Sequence, residues 1–366
     1  MKFNKLIATS SVLAASSLGL TACGSAPSST SASSSASHSD FTACMVSGTG
    51  GFQDKSFNQS SLDGLNAAQK DLGVQIKKAE SMSTTDFAPN TQQMVQSDCG
   101  IIIEAGGFPA ADVTKQSATA NKDKKFVIVD DNSIQLDNVK PIVYDTAQAA
   151  FLAGYLSAAQ TKTGKVATFG GEKIPAVTIF MDGYSDGVKY YNQKKGKNVQ
   201  LLGWDKDAQN GTMIGSFTDQ AKGKQLAESF LSQGADIVMP VAGNAANGAF
   251  SAAKDAGQAN GENKLSIIGV DADGYEAQPD FKEYFLSSVQ KSMSSAVEQV
   301  IKEAAENQFS STPYLGTLQN NGVSIAPFHD YDSKVSQDTK NELDQIKQDI
   351  ISGKLKVESQ ATPKTS

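Results

Sequence analysis

A glycine-rich segment runs from Gly48 to Gln59, between a predicted strand and a predicted helix. Glycine lets the backbone approach a ligand closely, a helix start offers free N–H groups, and Phe57 adds an aromatic face. This combination predicts a binding site for a small molecule. Neither G-x-x-x-x-G-K-[ST] nor G-x-G-x-x-G is present, so the segment does not favour phosphate binding.

The N-terminus predicts export and lipid modification. Lys2 and Lys5 precede an apolar stretch at residues 6–20, and small residues precede Cys23. Such an order is typical of a signal peptide, here residues 1–22, and a cysteine at the cleavage site predicts acylation of its thiol, with palmitate as one of the acyl groups. The alternatives are a plain secretory signal and a membrane anchor, but an apolar run of about 15 residues is short against the ~20 that a span needs.

Two further segments read as disordered. Residues 23–40 are nearly all Ser, Ala and Thr, and such a composition cannot offset its ordering entropy by burying apolar surface. We expect a flexible tether there and a globular body from residue 41 onward. Residues 354–366 are rich in Lys, Ser, Thr and Pro, which predicts a disordered tail.

The composition excludes several functions. The formal charge of −7 and the isoelectric point near 5.0 give no basic surface for nucleic acid. All 32 basic residues are lysines, so the bidentate arginine fork that favours phosphates is missing. His38 and His329 are the only histidines, too few for a multi-histidine metal site, and Asp130-Asp131 is too small a cluster to hold a metal alone. We expect neither a metal nor a cofactor.

Two cysteines remain once Cys23 is assigned to lipid. Cys44 and Cys99 each fall at the start of a predicted strand. If those strands are parallel neighbours, the two side chains come within bonding range, and disulfides persist outside the cytoplasm. The alternative is a pair of small buried thiols.

Strands alternate with helices along the body, which predicts an α/β protein of two doubly wound parallel-sheet lobes joined by a hinge. We assign residues 41–162 to lobe 1, completed by about 273–305, and residues 163–272 to lobe 2, completed by about 306–353. Open α/β sheets bind ligands at the carboxyl ends of their strands, so the two lobes predict a shared cleft. An exported lipoprotein of this architecture is most often the solute receptor of a transporter.

Several short motifs carry a family resemblance over about 300 residues. The chain resembles the basic membrane protein family of ABC-transporter lipoproteins, which includes purine nucleoside receptors. The resemblance implies the type I periplasmic binding protein fold. The matching segments are Gly50-Gly51, Asp54 to Ser60, Phe151 to Gly154, Gly183 to Val188, Gly215 to Gly223 and Ile268 to Asp271.

The resemblance also implies roles for individual residues. Phe57 and Phe217 match two aromatics that sandwich a base, Asp130 and Asp271 match carboxylates that take ribose hydroxyls, and Lys291 matches a lysine that completes the ribose contacts. Gly243 matches a backbone contact at a strand-to-helix turn. The complete candidate ligand-binding set is Ser47, Gly48, Phe57, Asn58, Asp130, Phe217, Gly243, Asp271 and Lys291.

Each assignment has a structural alternative. The two phenylalanines could be core residues, the aspartates could form turns or caps, and Asn58 could cap the following helix. Asp131 and Asp273 compete with their neighbours for the carboxylate roles. Lys291 could be a solvated lysine at a helix start.

One position departs from the family pattern. Many nucleoside-binding relatives have an acidic residue where this chain has Gly48, and a carboxylate there can accept a hydrogen bond from the base edge. Because glycine cannot, we expect the protein to recognise ribose more strictly than the base, and to bind pyrimidine as well as purine nucleosides.

The sequence therefore predicts a monomeric, non-enzymatic nucleoside receptor, held to the outer face of the cell membrane by lipid alone and delivering its ligand to an ABC permease. A receptor for a sugar or another small polar solute is the alternative within the same fold. A cell-surface nucleoside hydrolase or phosphorylase is disfavoured, because usable His, Arg and an Asp-rich metal motif are missing. A surface adhesin or signalling lipoprotein remains a third interpretation.

Overall fold

The structure is a computed structural model that describes residues 38–260 and 265–364. The predicted signal peptide, Cys23 and the predicted tether as far as residue 37 lie outside the described residues. The strands are β1 (Thr42–Thr49), β2 (Gln75–Ser81), β3 (Ile101–Ala105), β4 (Phe126–Val129), β5 (Val139–Tyr144), β6 (Lys165–Gly170), β7 (Gln200–Leu202), β8 (Trp204–Asp205), β9 (Asn210–Gly211), β10 (Ile237–Val241), β11 (Ser266–Asp271), β12 (Phe285–Lys291), β13 (Tyr314–Gly316) and β14 (Val323–Ile325).

The helices lie between these strands in the order that an α/β fold requires. They are α1 (Phe57–Leu72), α2 (Phe87–Gln96), α3 (Ala111–Ala120), α4 (Thr146–Gln160), α5 (Pro175–Lys195), α6 (Gln220–Ser232), α7 (Asn247–Asn260), α8 (Gly274–Ala277), α9 (Met293–Ala305) and α10 (Gln337–Ile351).

Each lobe is built on a six-stranded sheet. Sheet 1 has the order β13-β5-β4-β3-β1-β2, and all of its pairs are parallel. Sheet 2 has the order β14-β12-β11-β10-β6-β7 and is parallel except for its edge strand β14. The central strands are buried on both faces, which explains why they are continuous apolar runs such as Ile101–Ala105.

Helices cover both faces of each sheet. In lobe 1, α1 and α9 pack on one face of sheet 1 while α2 and α3 pack on the other. In lobe 2, α4 and α5 cover one face of sheet 2 and α6 and α7 the opposite face. Cys44 and Cys99 are joined by a disulfide in lobe 1, with Cα atoms 5.9 Å apart, because β1 and β3 are parallel neighbours.

The chain crosses between the lobes three times, and the crossings differ from the predicted boundaries. The first crossing is at Asp145, so α4 belongs to lobe 2, whereas the predicted lobe 1 segment 41–162 included it. The reason is that α4 is apolar on all sides and is buried against α5 and β12 of lobe 2. The second crossing is at Ser292 and the third at residues 317–322.

The segments predicted to complete the lobes are corrected in the same way. Within 273–305, β12 pairs with β11 in sheet 2, and only α9 packs in lobe 1. Within 306–353, β13 pairs with β5 in sheet 1 while the rest stays with lobe 2. The crossings are bonded to one another, because Asp145 N–H donates to Gly316 O at 2.8 Å and Ser292 N–H donates to Gly322 O at 2.9 Å.

The C-terminal segment 355–364 has defined contacts, in contrast to the disorder that its composition predicts. Leu355, Val357 and Ala361 pack against the core. The Ser359 hydroxyl donates to the buried carboxylate of Asp182 at 2.6 Å. Three packed apolar side chains and this bond offset the ordering entropy that its polar residues alone would not.

Candidate ligand-binding site

The carboxyl ends of both sheets face a common cleft, which encloses about 700 Å³ with open solvent included. Lobe 1 contributes the ends of β1, β3 and β4 and the start of α1, and lobe 2 contributes the ends of β10, β11 and β12 and the start of α5. The cleft is therefore formed as the sequence predicts, from strand ends of both lobes.

One end of the cleft holds a buried charge cluster. The ammonium of Lys291 donates to Asp130 of lobe 1 and lies 3.2 Å from Oδ1 of Asp271. The side chains of Lys291, Asp130 and Asp271 are 2%, 8% and 9% exposed. Burial alone would lower the pKa of Lys291, but the two carboxylates outweigh it and raise that pKa, so the lysine stays charged.

The two aspartates have different partners. Burial raises the pKa of Asp130, and Lys291 offsets part of that effect. Oδ2 of Asp271 accepts a hydrogen bond of 3.1 Å from the Ser56 hydroxyl across the lobes. Oδ1 of Asp271 is buried and has no hydrogen-bond partner within the described residues, although the Lys291 charge is close. A carboxylate oxygen has two lone pairs, so Oδ1 can accept a hydrogen bond from a ligand hydroxyl while it stays paired with the Lys291 charge.

A shared backbone conformation directs both carboxylates into the cleft. Asp130 follows β4 with φ of 62° and Asp271 ends β11 with φ of 67°, which are left-handed values that few residues other than glycine adopt. Aspartate tolerates this region better than most residues, and such strain is concentrated at functional sites. The two turns support a binding role for the aspartates.

Aromatic side chains line the remainder of the cleft. Phe57 is the first residue of α1, and Phe217 precedes α6 in the other lobe; both are half-buried and line the cavity. Phe180 of α5 is fully buried there, and the Lys291 ammonium lies 4.8 Å from its ring centroid and 5.5 Å from that of Phe57. A planar apolar group can therefore be held next to a polar, hydrogen-bonding end.

The loop after β1 is fixed by two polar side chains. Asp54 caps α1, because its carboxylate accepts the N–H groups of Ser56, Asn58 and Gln59 at 2.9–3.0 Å. Asn58 is therefore not the cap. Its Oδ1 accepts from Gly48 N–H at 2.8 Å, and its amide nitrogen makes only a 3.4 Å contact with a backbone carbonyl, so this donor remains available in the cleft.

The competing aspartates differ in whether they line the main cleft. Asp131 is turned away from the main cleft and accepts from the amide and hydroxyl of Ser133, while Asp273 caps α8 and bonds His329 at 2.8 Å. Neither lines the cleft, whereas Asp130 and Asp271 do.

Ser47 is the one member of the candidate set that lies outside the cleft lining. It is completely buried, its hydroxyl accepts from Ser81 N–H at 2.8 Å, and it holds β1 to β2. Successive side chains on a strand point to opposite faces, and at position 47 the side chain points into the sheet's packing. The other eight members line the cleft.

Sequence reasoning missed Phe180 and Phe108. Phe180 occupies a buried position of a long helix, where an aromatic is normally a core residue. Phe108 follows the end of β3, and that strand-end position was the available signal. It is 49% exposed and lines the cleft beside Asp130.

The family model described as "ABC transporter substrate-binding protein PnrA-like" matches residues 41–361. The chain belongs to this family. A relative of this PnrA-like chain, the ABC transporter nucleoside-binding protein BmpA of Lactococcus lactis, is 30% identical over 367 residues, which cover 97% of this chain and 99% of that protein. The CD4+ T-cell-stimulating antigen of Listeria monocytogenes is 30% identical over 359 residues, 95% of this chain and 96% of that protein.

A solved structure agrees with the PnrA-like assignment. The solute-binding protein of an ABC transporter system from Aeropyrum pernix has a TM-score of 0.78 and 25% identity, over 88% of this chain and 94% of that one. The predictions of the family and of the two-lobed fold are confirmed.

The PnrA-like protein is thus the substrate-binding protein of an ABC transporter and not an enzyme. Proteins of this family work outside the cytoplasm in association with a membrane. Within residues 38–260 and 265–364, none of the helices is long and apolar enough to cross a bilayer.

Proposed function

We propose that this PnrA-like protein captures nucleosides between its lobes and delivers them to the permease of its transporter. The observation that carries the proposal is the division of one cleft into an aromatic end, with Phe57 and Phe217, and a buried acidic end, with Asp130 and Asp271. A nucleoside has the same division between a flat base and a hydroxylated sugar. The name of the Lactococcus lactis relative adds support.

The acidic end suits a ribose better than a phosphate. Two carboxylates face the single ammonium of Lys291, so the buried cluster has an excess of hydrogen-bond acceptors and of negative charge. Ribose hydroxyls can donate to these acceptors, whereas a phosphoryl group would be repelled. The protein should therefore prefer nucleosides to nucleotides.

The aromatic end suits several bases. A Cβ at Gly48 would lie 2.9 Å from Asn58 Oδ1 and 3.0 Å from Ala105 O, so this site has no room for the acidic side chain of other relatives. Stacking on phenylalanine is worth about 1–3 kcal/mol per base and tolerates any base. The Asn58 amide N–H is also available to donate to an acceptor on the base edge, and purines and pyrimidines both carry such acceptors. We expect purine and pyrimidine nucleosides to bind.

The anchoring part of the proposal concerns residues outside the described range. Acylation of Cys23 after removal of residues 1–22 would hold a monomeric receptor near its permease, and residues 23–40 would give it room to dock. Labelling cells with a palmitate analogue tests this: Cys23→Ser should abolish the label. Incorporation that survives the substitution would disprove lipidation at Cys23.

Calorimetry on the mature protein tests the ligand. Adenosine, guanosine, uridine and cytidine should each bind, and free ribose and glucose should bind at least about 100-fold more weakly, because the stacking contribution is lost. Binding of purines alone would refute the broad base specificity. Binding of a free sugar as tightly as any nucleoside would favour the sugar-receptor alternative instead.

A further inference from the structure

The main cleft is not closed at its acidic end. Phe108, Asp130, Ala176 and Lys291 line both the main cleft and a second cavity of about 1,140 Å³ with open solvent included. A ligand sugar held by Asp130 and Lys291 would therefore have one side facing this second cavity, which we call the side chamber.

The walls of the side chamber combine apolar side chains with polar ones, and their charged groups are two carboxylates and the two ammonium groups of Lys291 and Lys364. The walls include Asn132, Ser133, Gln135 and Thr146, beside the carboxylates of Asp130 and Asp131. Hydroxyl and amide groups of this kind bind hydroxylated ligands. The two carboxylates balance the two ammonium groups, so the chamber has no net positive charge that would attract an anion such as phosphate.

Tyr144 provides a second, independent observation. It lines the side chamber but not the main cleft, it is 2% exposed, and its buried hydroxyl has no hydrogen-bond partner within the described residues. A buried hydroxyl without a partner costs free energy. Burial raises the pKa of Tyr144 well above its usual value, so the hydroxyl keeps its proton and can donate.

The C-terminal segment forms the outer wall of the chamber. Residues 360–364 line it, and the segment is held to lobe 2 through Ser359 and to lobe 1 through Asn132, whose amide donates to Lys364 O at 3.1 Å. The chamber is thus enclosed by both lobes and by the end of the chain, which is the arrangement of a bounded subsite.

We propose that the side chamber is a subsite for an uncharged, hydroxylated group attached to the 5′ oxygen of a bound nucleoside. This inference rests on the proposed nucleoside function. If the two aspartates hold the vicinal ribose hydroxyls, the 5′ oxygen is the remaining point of attachment on the sugar. The Tyr144 hydroxyl then donates to the added group.

The test compares adenosine with its 5′-O-(2-hydroxyethyl) ether by calorimetry, or the same pair built on uridine if uridine binds more tightly. We expect the ether to bind at least as tightly as the parent nucleoside. Tyr144→Phe should weaken the ether about threefold, the effect of one hydrogen bond, and leave the parent unchanged. A chain ending at Ser359 should also weaken the ether alone, because the outer wall is lost.

Three results would overturn the proposal. A loss of tenfold or more for the ether would mean that the chamber holds only water, and an unchanged ether affinity in Tyr144→Phe would remove the role of the hydroxyl. Adenosine 5′-monophosphate binding as tightly as the ether would mean that the chamber accepts anions. Failure of every parent nucleoside is a distinct outcome, which refutes the proposed function and this inference with it.

Discussion

The two lobes have the same strand order, yet they contribute different chemistry to the cleft. Counted from the β2 and β7 edges, the fourth strands β4 and β11 each end at an aspartate with a left-handed backbone, Asp130 and Asp271. The fifth strands differ, because β5 ends at Tyr144 and β12 ends at Lys291. The Lys291 ammonium lies 5.8 Å from the centroid of the Tyr144 ring.

This difference leaves one cation for two acids. A lysine at both positions would neutralise the acidic end, whereas the tyrosine in lobe 1 leaves two carboxylates facing one ammonium, and therefore a net negative charge. The repeated strand order thus puts Asp130 and Asp271 at equivalent positions in the two lobes. The tyrosine in place of a second lysine leaves them with acceptor capacity for a ligand.

Removal of the single cation should have the largest effect. Lys291→Met would leave two buried carboxylates without a compensating cation, which typically costs about 3–5 kcal/mol of stability. We expect lower stability in urea unfolding and no measurable nucleoside binding by calorimetry.

Two further variants support this measurement. Lys334→Met removes an exposed lysine that lies 4.3 Å from the Tyr331 ring centroid, and it should change neither stability nor binding. Adding Asp130→Asn to Lys291→Met should recover part of the lost stability. Unchanged nucleoside affinity in Lys291→Met would show that the charge cluster is not the sugar site.

The two aspartates test the equivalence of the lobes. Asp130→Asn and Asp271→Asn keep a residue type that accepts a left-handed backbone. Each should weaken nucleoside binding by about 1.5–3 kcal/mol, or roughly 10- to 150-fold in calorimetry, as for a hydrogen bond to a charged group.

The neighbouring acids supply matched controls for that pair. Asp131→Asn and Asp273→Asn should stay within about twofold of the parent, since both side chains lie outside the main cleft. If Asp271→Asn weakens nucleoside binding no more than Ser56→Ala does, then Asp271 serves only to connect the lobes through Ser56. The two aspartates would then not be equivalent in binding.

The aromatic end tests whether the lobes share the base equally. Phe57→Ala and Phe217→Ala should each weaken every nucleoside by about 1–3 kcal/mol, roughly 5- to 150-fold. Phe328→Ala, at another half-buried position, should leave affinity unchanged. A loss confined to one of the two variants would mean that a single lobe stacks on the base.

The smallest expected effect on ligand binding comes from an acid outside the cleft that lobe 2 lacks, and its effect is on stability instead. Glu104 of β3 is fully buried, and the corresponding residue of β10 in lobe 2 is Pro240. One oxygen of the Glu104 carboxyl accepts a hydrogen bond from Thr91 at 2.9 Å, and the other has no partner within the described residues. Burial raises the pKa of Glu104 to about 8. Between the ordinary pKa of a glutamate and about 8, the folded state holds a proton that the unfolded state has lost. This group therefore makes stability fall as pH rises through that window, by at most about 1.4 kcal/mol per pH unit.

Urea unfolding across pH 4–9 measures this slope. Glu104→Gln should flatten it, and the two proteins should differ least at pH 4, where the carboxyl is protonated in both states. An identical pH profile for Glu104→Gln would show that Glu104 is ionised in the fold.

The sequence was sufficient for the features that depend on local pattern. Strand–helix alternation predicted both sheets, and the strand-end positions of Asp130, Asp271 and Gly243 predicted the cleft. The position of these residues in the cleft could be predicted because the carboxyl ends of parallel strands lie at the same edge of a sheet. Their roles in binding remain predictions.

The features that the sequence could not provide depend on contacts between distant segments. Assignment of α4 and β12 to lobe 2 follows from packing against α5 and pairing with β14, neither of which a local pattern reveals. The choice of Asp130 over Asp131 depends on the Ser133 turn, and the orientation of Ser47 depends on the register of β1 with β2.

The three crossings also constrain how such receptors can be recombined. Because the chain changes lobes at Asp145, at Ser292 and between Gly316 and Val323, neither lobe is a continuous stretch of the gene. A chimera that takes lobe 2 from a relative must be joined at all three places. A single junction at Asp145 would also bring the relative's α9 and β13 into lobe 1. Exchange of lobe 2 alone therefore requires that all three hinge segments be cut and rejoined.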